Sequence, residues 1–427
     1  MSTAAKVENP SARKPTLQFV HIRCLKNLRT LYDESKSNKF SAVPLPDLSP
    51  NFAVNQDHPL FMSAIKDIYS PAFYNRFAGL LEQTLPDFNK EEFIRQIFTE
   101  AFATMEWKQR MQHTTTVFHV FLPKDFPKAV KGIENVITQL RKEHTGEDNL
   151  AYIFLADYIG TYGLDDFETS VQALEFVTQF ISCEFAVRPF ILKHGNRMID
   201  QMVRWSKHES YKVRRFSSEG SRPRLPWAMA IPALKKDPSP LLPLLENLKN
   251  DPSEFVRRSV ANNLNDIAKD HPDIILSIAK KWRGGSKETD AIIKHGSRTL
   301  LKQGHAEILE VYGLDGKNIS VTNLEIATPQ VKIGDSLEFS FTITNANDSK
   351  RMVRLEYGIY YMKSKGHLAR KVFKISEKEY EAGVKIKVSR KQSFKLITTR
   401  TFYPGLHQLS IIVNGDEKAI DNFEIIN

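Results

Sequence analysis

Cysteine is nearly absent. The two residues present, Cys24 and Cys183, lie too far apart in sequence for a disulfide framework or a zinc cluster. Long hydrophobic runs are missing too: no apolar stretch reaches the roughly 18 residues that span a bilayer. The N-terminus, MSTAAKVENPSARKPT, lacks the apolar segment of a signal peptide. These absences predict an intracellular, cytoplasmic protein with no membrane partner. Motifs for common chemistries are lacking as well. There is no glycine-rich phosphate loop, no His-Glu-x-x-His, no Cys-x-x-Cys and no Gly-x-Ser-x-Gly. His194, His208 and His295 show no ligand spacing. Metal, nucleotide and serine-hydrolase chemistry have no foothold, so no metal and no organic cofactor is expected.

Positive charge is plentiful. Sixty Lys and Arg outnumber fifty Asp and Glu, giving a net charge of +10. Such a balance favours an anionic partner. Residues 350–400 alone hold 15 basic and 4 acidic side chains, which accounts for the whole excess.

The chain divides into three parts. Residues 1–55 are rich in Ser, Lys, Asn and Pro and read as a flexible extension with a short helix near 17–33. Residues 56–312 read as helical nearly throughout. EEFIRQIFTEAFATMEW, KAVKGIENVITQLRKE and SVQALEFVTQFISCEFAV carry apolar residues at i, i+3, i+4 and i+7. Within this region HESYKVRRFSSE (208–219) aligns with DPSEFVRRSVAN (251–262) at an offset of 43, and a weaker copy, IIKHGSRTLLK (292–302), follows at 37. Helical pairs recurring at about 40 residues mark a HEAT-type solenoid, whose stacked units leave an extended concave surface. Residues 318–427 change to period two. ISVTNLEIA, SLEFSFTITN, RMVRLEYGIYY, VKIKV, LHQLSIIV and NFEII read as strands, about seven in all, of an immunoglobulin-like sandwich. The fold class expected is therefore an all-α HEAT-like solenoid followed by an all-β immunoglobulin-like sandwich. Lys385, Lys387, Arg390 and Lys391 give the sandwich a basic flank suited to a phosphate backbone.

The repeat exposes a candidate site. Val213 and Phe216 take the core face in one copy, Val256 and Val260 in the next. Residues four apart share a face, so Arg215 lies with Glu219, and Arg258 with Asn262. Position 219 is Glu, its equivalents are Asn262 and Thr299, so the scaffold does not require a carboxylate there. Glu219 either neutralises its arginines or stabilises a positive centre and orients water. Arg214 and Arg257 serve either a repeat ladder or DNA. Pro223 and Pro226 push their predecessors out of the α region, so the helix carrying Glu219 ends near Gly220 and Trp227 follows stiff turns. Trp227 is either a packing residue or an aromatic surface for a base or sugar. In CEFAVRPF, Glu184 and Arg188 stand at i, i+4.

CEFAVRPF, WSKHESYKVRRFSSEGSRPRLPW and DPSEFVRRSVANNLND together resemble the AlkC family of DNA alkylation repair glycosylases, over roughly residues 58–312. The resemblance implies a solenoid that binds alkylated double-stranded DNA and hydrolyses the N-glycosidic bond of N3-alkylated bases, notably 3-methyladenine and 3-methylcytosine. It implies no metal or cofactor, no deep base flipping, no obligate protein partner, a monomer, and association with the nucleoid. Glu184 and Glu219 stand at the matching carboxylate positions and Trp227 beside the reacting sugar, with Trp205 as a further aromatic. Arg188, Arg214, Arg215, Arg222, Arg224, Arg257 and Arg258 would hold phosphates, and Asn262 and Asn263 would add hydrogen bonds. A non-catalytic HEAT–immunoglobulin DNA-binding scaffold is the alternative. The sister family uses an aspartate flanked by tryptophans; here Phe180 takes the neighbouring turn.

Overall fold

The computed structural model describes residues 65–396 and 401–426. The extension expected over 1–55 and the helix near 17–33 lie outside the described residues. Among the described residues sixteen α-helices come first. They are α1 (Pro71–Thr84), α2 (Lys90–Ile97), α3 (Trp107–Val120), α4 (Phe126–Lys142), α5 (Ile153–Tyr162) and α6 (Phe167–Thr178). Next are α7 (Arg188–His194), α8 (Asn196–Trp205), α9 (Tyr211–Gly220), α10 (Pro232–Lys236) and α11 (Leu242–Leu248). The last are α12 (Glu254–Ile267), α13 (Pro272–Trp282), α14 (Lys287–Gly296), α15 (Arg298–Gln303) and α16 (Ala306–Val311). Their starts follow the local chemistry. Asp125, Asp166 and Ser286 each accept a hydrogen bond from the third backbone N–H of the helix they precede, one of the donors that a helix start leaves unpaired.

The repeat expected from sequence is the packing unit. α8/α9, α11/α12 and α13/α14 are successive contacting pairs, and α9, α12 and α14 pack against one another in turn. Val213, Phe216, Val256 and Val260 are fully buried between them. One apolar core runs through the whole helical region, because each pair covers its neighbour's apolar face. No helix among the described residues is long and apolar enough to cross a membrane.

Eight strands follow: β1 (Ile319–Ile326), β2 (Gln330–Lys332), β3 (Ser336–Asn345), β4 (Arg351–Met362), β5 (Leu368–Tyr380), β6 (Lys385–Ser393), β7 (Gly405–Val413) and β8 (Asp416–Ile426). They form a three-stranded sheet, β1-β3-β6, and a five-stranded one, β2-β8-β7-β4-β5. The two sheets enclose their own apolar core around Phe339, Phe341, Leu355, Ile359, Leu409 and Ile411. Strand β5, LARKVFKISEKEY, escaped the period-two reading because lysines fall on both of its faces. As an edge strand it pairs only with β4, which leaves room for such charges.

Strand β4 is buried on both faces over Val353–Ile359. Its odd-numbered side chains enter the sandwich core, and its even-numbered ones face the other way. There Arg354 donates to Glu356 at 2.6 Å and to Glu377 at 3.0 Å, and Glu377 also pairs with Lys294 of α14. Asn414 donates to the carbonyl of Asp315 at 2.8 Å. The sandwich is thus joined to the last repeats through charged and amide contacts.

Candidate active site

The carboxylate Glu219 sits in the last turn of α9, as the prolines after it require. Gly220 closes the helix against Val187, where a Cβ would come within 2.7 Å of a methyl group. Glu219 is almost enclosed. Its Oε1 accepts from Arg222 Nη1 at 2.6 Å and lies 3.9 Å from Arg215 Nη2, and its Oε2 accepts from Ser259 Oγ at 2.7 Å. Burial alone would raise its pKa. The two guanidiniums and the Ser259 hydroxyl outweigh burial and bring the pKa down to about 2. Glu219 is therefore an anion at neutral pH.

Glu184 lies in the turn before α7, with 16% of its side chain exposed against 9% for Glu219. It accepts from Arg215 Nη1 at 3.0 Å. The same nitrogen donates to Ser182 Oγ, and the guanidinium carbon stands 4.8 Å from the ring centre of half-buried Phe255. One arginine thus links the two carboxylates expected to act. Beyond Glu219 the chain of charges continues: Arg222 Nε donates to Asp266 Oδ2 at 2.9 Å, and Asp266 also takes Lys269 at 2.9 Å.

The i, i+4 pairing of Glu184 with Arg188 does not occur, and Arg188 does not reach a phosphate. It is fully buried. Nε donates to the carbonyl of Met229 at 2.6 Å, and Nη1 to those of Gly220 and Arg222 at 3.0 and 2.9 Å. Burial and then the nearby Arg222 lower its pKa to about 10, which still leaves it charged at neutral pH. Its place is that of a clamp on the 220–229 segment.

Four other DNA contacts expected from sequence are corrected, three by burial and Arg214 by the partners it already holds. Arg222 is enclosed between Glu219 and Asp266. Arg214 spends Nε and Nη2 on Asp251, at 2.6 and 3.1 Å, and Nη1 on the carbonyls of His208 and Glu209. That pair is the repeat ladder, since Arg214 belongs to one unit and Asp251 to the next. Trp205 is buried against Phe216, with its indole N–H donated to Glu175 at 2.6 Å. Asn263 is fully buried and donates to the carbonyl of Ser218 at 2.9 Å.

The remaining candidates lie nearer the surface. Arg224 is a third exposed and holds Asp270 through two nitrogens, at 3.1 and 2.6 Å. Arg257 is half-buried and donates to the carbonyls of Asp251 and Pro252. Arg258 and Asn262 are half-buried on α12. On the sandwich, Lys385 and Lys387 project from β6 on its solvent side. Lys391 pairs with Glu338 at 2.5 Å, and Arg390, of opposite parity, is exposed at the rim.

Trp227 is half-buried with φ at +64°, a left-handed conformation that costs a bulky residue roughly 1–2 kcal/mol. The conformation persists because the neighbours fix it. Its ring lies 5.7 Å from that of Trp107, and its carbonyl accepts from Lys108. Such strain collects at functional sites.

Two acids that the sequence reading passed over belong here. Asp266 is the terminal anion of the charge chain, inside the quoted VRRSVANNLND. Asp157 is a half-buried acid on α5, a helix otherwise almost wholly buried. Thr115 Oγ1 donates to it at 2.8 Å, burial raises its pKa, and Lys108 is the cation that opposes that rise. Lys108 stands 5.4 Å from the ring of Phe185, the residue after Glu184. A lone acid in the apolar run IFLADYIG was the available signal.

A helical-repeat solenoid with a buried carboxylate–guanidinium centre, joined to a basic immunoglobulin-like sandwich, is the class that fold and site define. Residues 122–294 match the family described as DNA alkylation repair enzyme. Residues 320–427 match the C-terminal Ig-like domain of uncharacterised protein YhaZ. The chain is 42% identical to uncharacterized protein YhaZ of Bacillus subtilis (strain 168), over 85% of this chain and 100% of that one. It also resembles the Pseudomonas fluorescens alkylpurine DNA glycosylase AlkC, solved bound to DNA containing an abasic site analog. That match has 33% identity and a TM-score of 0.81, covering 86% of this chain and 100% of the other. The chain belongs to the AlkC family of DNA alkylation repair glycosylases.

Proposed function

We propose that this protein is a DNA glycosylase that hydrolyses the N-glycosidic bond of N3-alkylated bases, 3-methyladenine and 3-methylcytosine, in duplex DNA. In this reading the solenoid of residues 56–312 carries the chemistry. The sandwich of 318–427 grips the duplex through Lys385, Lys387, Arg390 and Lys391, and the protein acts as a monomer at the nucleoid. The observation that carries the reading is the pair of carboxylates joined by Arg215, one accessible and one enclosed.

An alkylated base is already cationic. When its bond to C1′ breaks, the electron pair goes to the ring nitrogen and the base leaves neutral. The sugar becomes an oxocarbenium-like cation. A nearby carboxylate stabilises that charge, and a water oxygen adds to C1′ while its proton passes to an acceptor and on to solvent. Glu184 suits both tasks because part of it reaches solvent. Glu219 acts behind it: as an anion at neutral pH it holds Arg215 and Arg222 in place. Trp227 packs against the deoxyribose, so the base need not enter a deep pocket. Arg224 and Arg258 contact phosphates, with Asn262 adding a hydrogen bond.

The alternative is a DNA-binding scaffold without catalysis. It is favoured by the fact that both oxygens of Glu219 already have partners. Duplexes carrying 3-methyladenine or 3-methylcytosine separate the two. Release of free base by the purified protein is expected, and binding without release leaves the scaffold.

A further inference from the structure

Trp227 and Glu184 come from different segments, and one side chain bridges the two. Lys108, in the first turn of α3, donates through Nζ to the carbonyl of Trp227. The same Nζ stands 5.4 Å from the ring centre of Phe185, the residue after Glu184. Trp107, the residue before Lys108, meets the Trp227 ring at 5.7 Å. Two consecutive residues of α3 thus take the backbone and the ring of one tryptophan.

Repeat stacking does not call for this bridge. In a solenoid each unit needs only its neighbours. Helix α3 packs against α2 and α5, and α9 packs against α8 and α12. Residues 108 and 227 are 119 positions apart. The bridge therefore needs its own reason, and the backbone supplies one. Trp227 has φ at +64°, and a residue held in that region persists only when its surroundings over-determine it.

An acid stands behind the lysine. Asp157 is half-buried on α5 and accepts from Thr115 Oγ1 at 2.8 Å. Burial raises its pKa, and Lys108 opposes the rise. Burial likewise lowers the pKa of Lys108, and Asp157 opposes that fall. Each helps to keep the other charged.

We infer that Lys108, backed by Asp157, is a positioning residue that pins the main chain of Trp227 and so fixes where its ring stands relative to Glu184. The inference rests on the reading of Trp227 as the sugar contact. It adds a residue from α3 to a site otherwise drawn from residues 182–266. Lys108 acts through Trp227 and not on the bond that breaks.

The test uses the full-length protein and begins without DNA. Trp107, Trp205 and Trp282 are buried and Trp227 is half-buried, so acrylamide quenching of tryptophan fluorescence reads mainly Trp227. Lys108→Met raises the quenching constant about twofold, and Lys108→Arg, which keeps a donor, leaves it as in the wild type. An unchanged constant in Lys108→Met overturns the pin. Single-turnover release of 3-methyladenine from a duplex follows. Lys108→Met slows it by about tenfold or more, within the hundredfold that a displacement of about 1 Å can cost. Asp157→Asn acts in the same direction and adds nothing to Lys108→Met. In a Trp227→Gly background Lys108→Met also adds nothing, whereas losses that multiply overturn the inference. The salt slope for an undamaged duplex stays as in the wild type. A fall of about one unit makes Lys108 a phosphate contact instead and overturns its role as a pin. A wild-type protein that releases no base removes the glycosylase reading, and the quenching arm still decides the pin.

Discussion

Arg215 Nη1 and Glu184 Oε2 are 3.0 Å apart, and that contact couples an accessible carboxylate to an enclosed one. The two acids therefore call for different experiments.

Glu184→Gln keeps the shape of the side chain and an acceptor for Arg215, and removes the negative charge nearest solvent. Base release in single-turnover assays falls by about a hundredfold or more, the scale of losing one group that stabilises transition-state charge. Affinity for the same duplex changes by no more than about threefold. If affinity and rate fall together, the carboxylate organises Arg215 and does not serve the bond break.

Glu219 supports the fold as well. Its pKa in the folded chain is about 2, below the ordinary 4.5, so the unfolded chain binds the extra proton between those values. The stability it contributes is complete above about pH 4.5 and is lost as pH falls toward 2. Urea denaturation across this window shows a steep loss in the wild type and a flatter one in Glu219→Gln. The variant is also less stable at neutral pH, because Arg215 and Arg222 lose part of their compensation.

Arg188→Met separates a clamp from a DNA contact. Three carbonyls lose their donor, and stability falls by about 3 kcal/mol or more in urea melts. The salt dependence of binding to an undamaged duplex, measured where the variant is folded, stays as in the wild type. A change in slope of about one unit would restore Arg188 to the phosphate contacts.

Trp227→Gly exchanges two effects of similar size. It relieves the left-handed backbone, worth roughly 1–2 kcal/mol, and gives up the burial of a half-covered ring, also of that order. The melting temperature stays within a few degrees, while base release drops at least about tenfold. A protein that keeps its full rate without the ring rules out a sugar contact.

Lys385→Gln with Lys387→Gln removes two exposed charges from β6 without touching the sandwich core. The salt slope falls by about two and the melting temperature is unchanged. An unaltered slope places the DNA elsewhere.

Much of this architecture was legible in the chain. The Val-Arg-Arg repeat located the stacked helices, and the two prolines located the end of α9. Period-two alternation found the sandwich but lost β5, where lysines mask the pattern. The site was less legible, for a physical reason. An arginine in a sequence carries the same charge whether it faces a phosphate or a carbonyl. Arg188, Arg214 and Arg222 each take partners from inside the protein, among them groups 32 to 44 residues away, and nothing local announces those distant ones. Asp157 was missed for the opposite reason: its helix looked like core, and nearly all of it is.

Among the described residues the Arg188 clamp hydrogen-bonds only to main-chain oxygens. It therefore reads where the backbone runs and is blind to which side chains the segment carries. That hold by itself sets no demand on the side chains of residues 220–229; Gly220, packed against Val187, and Arg222, paired with Glu219 and Asp266, are fixed by other contacts. The path of the segment is thus guarded separately from its composition, by a residue whose hydrogen-bond partners are all backbone.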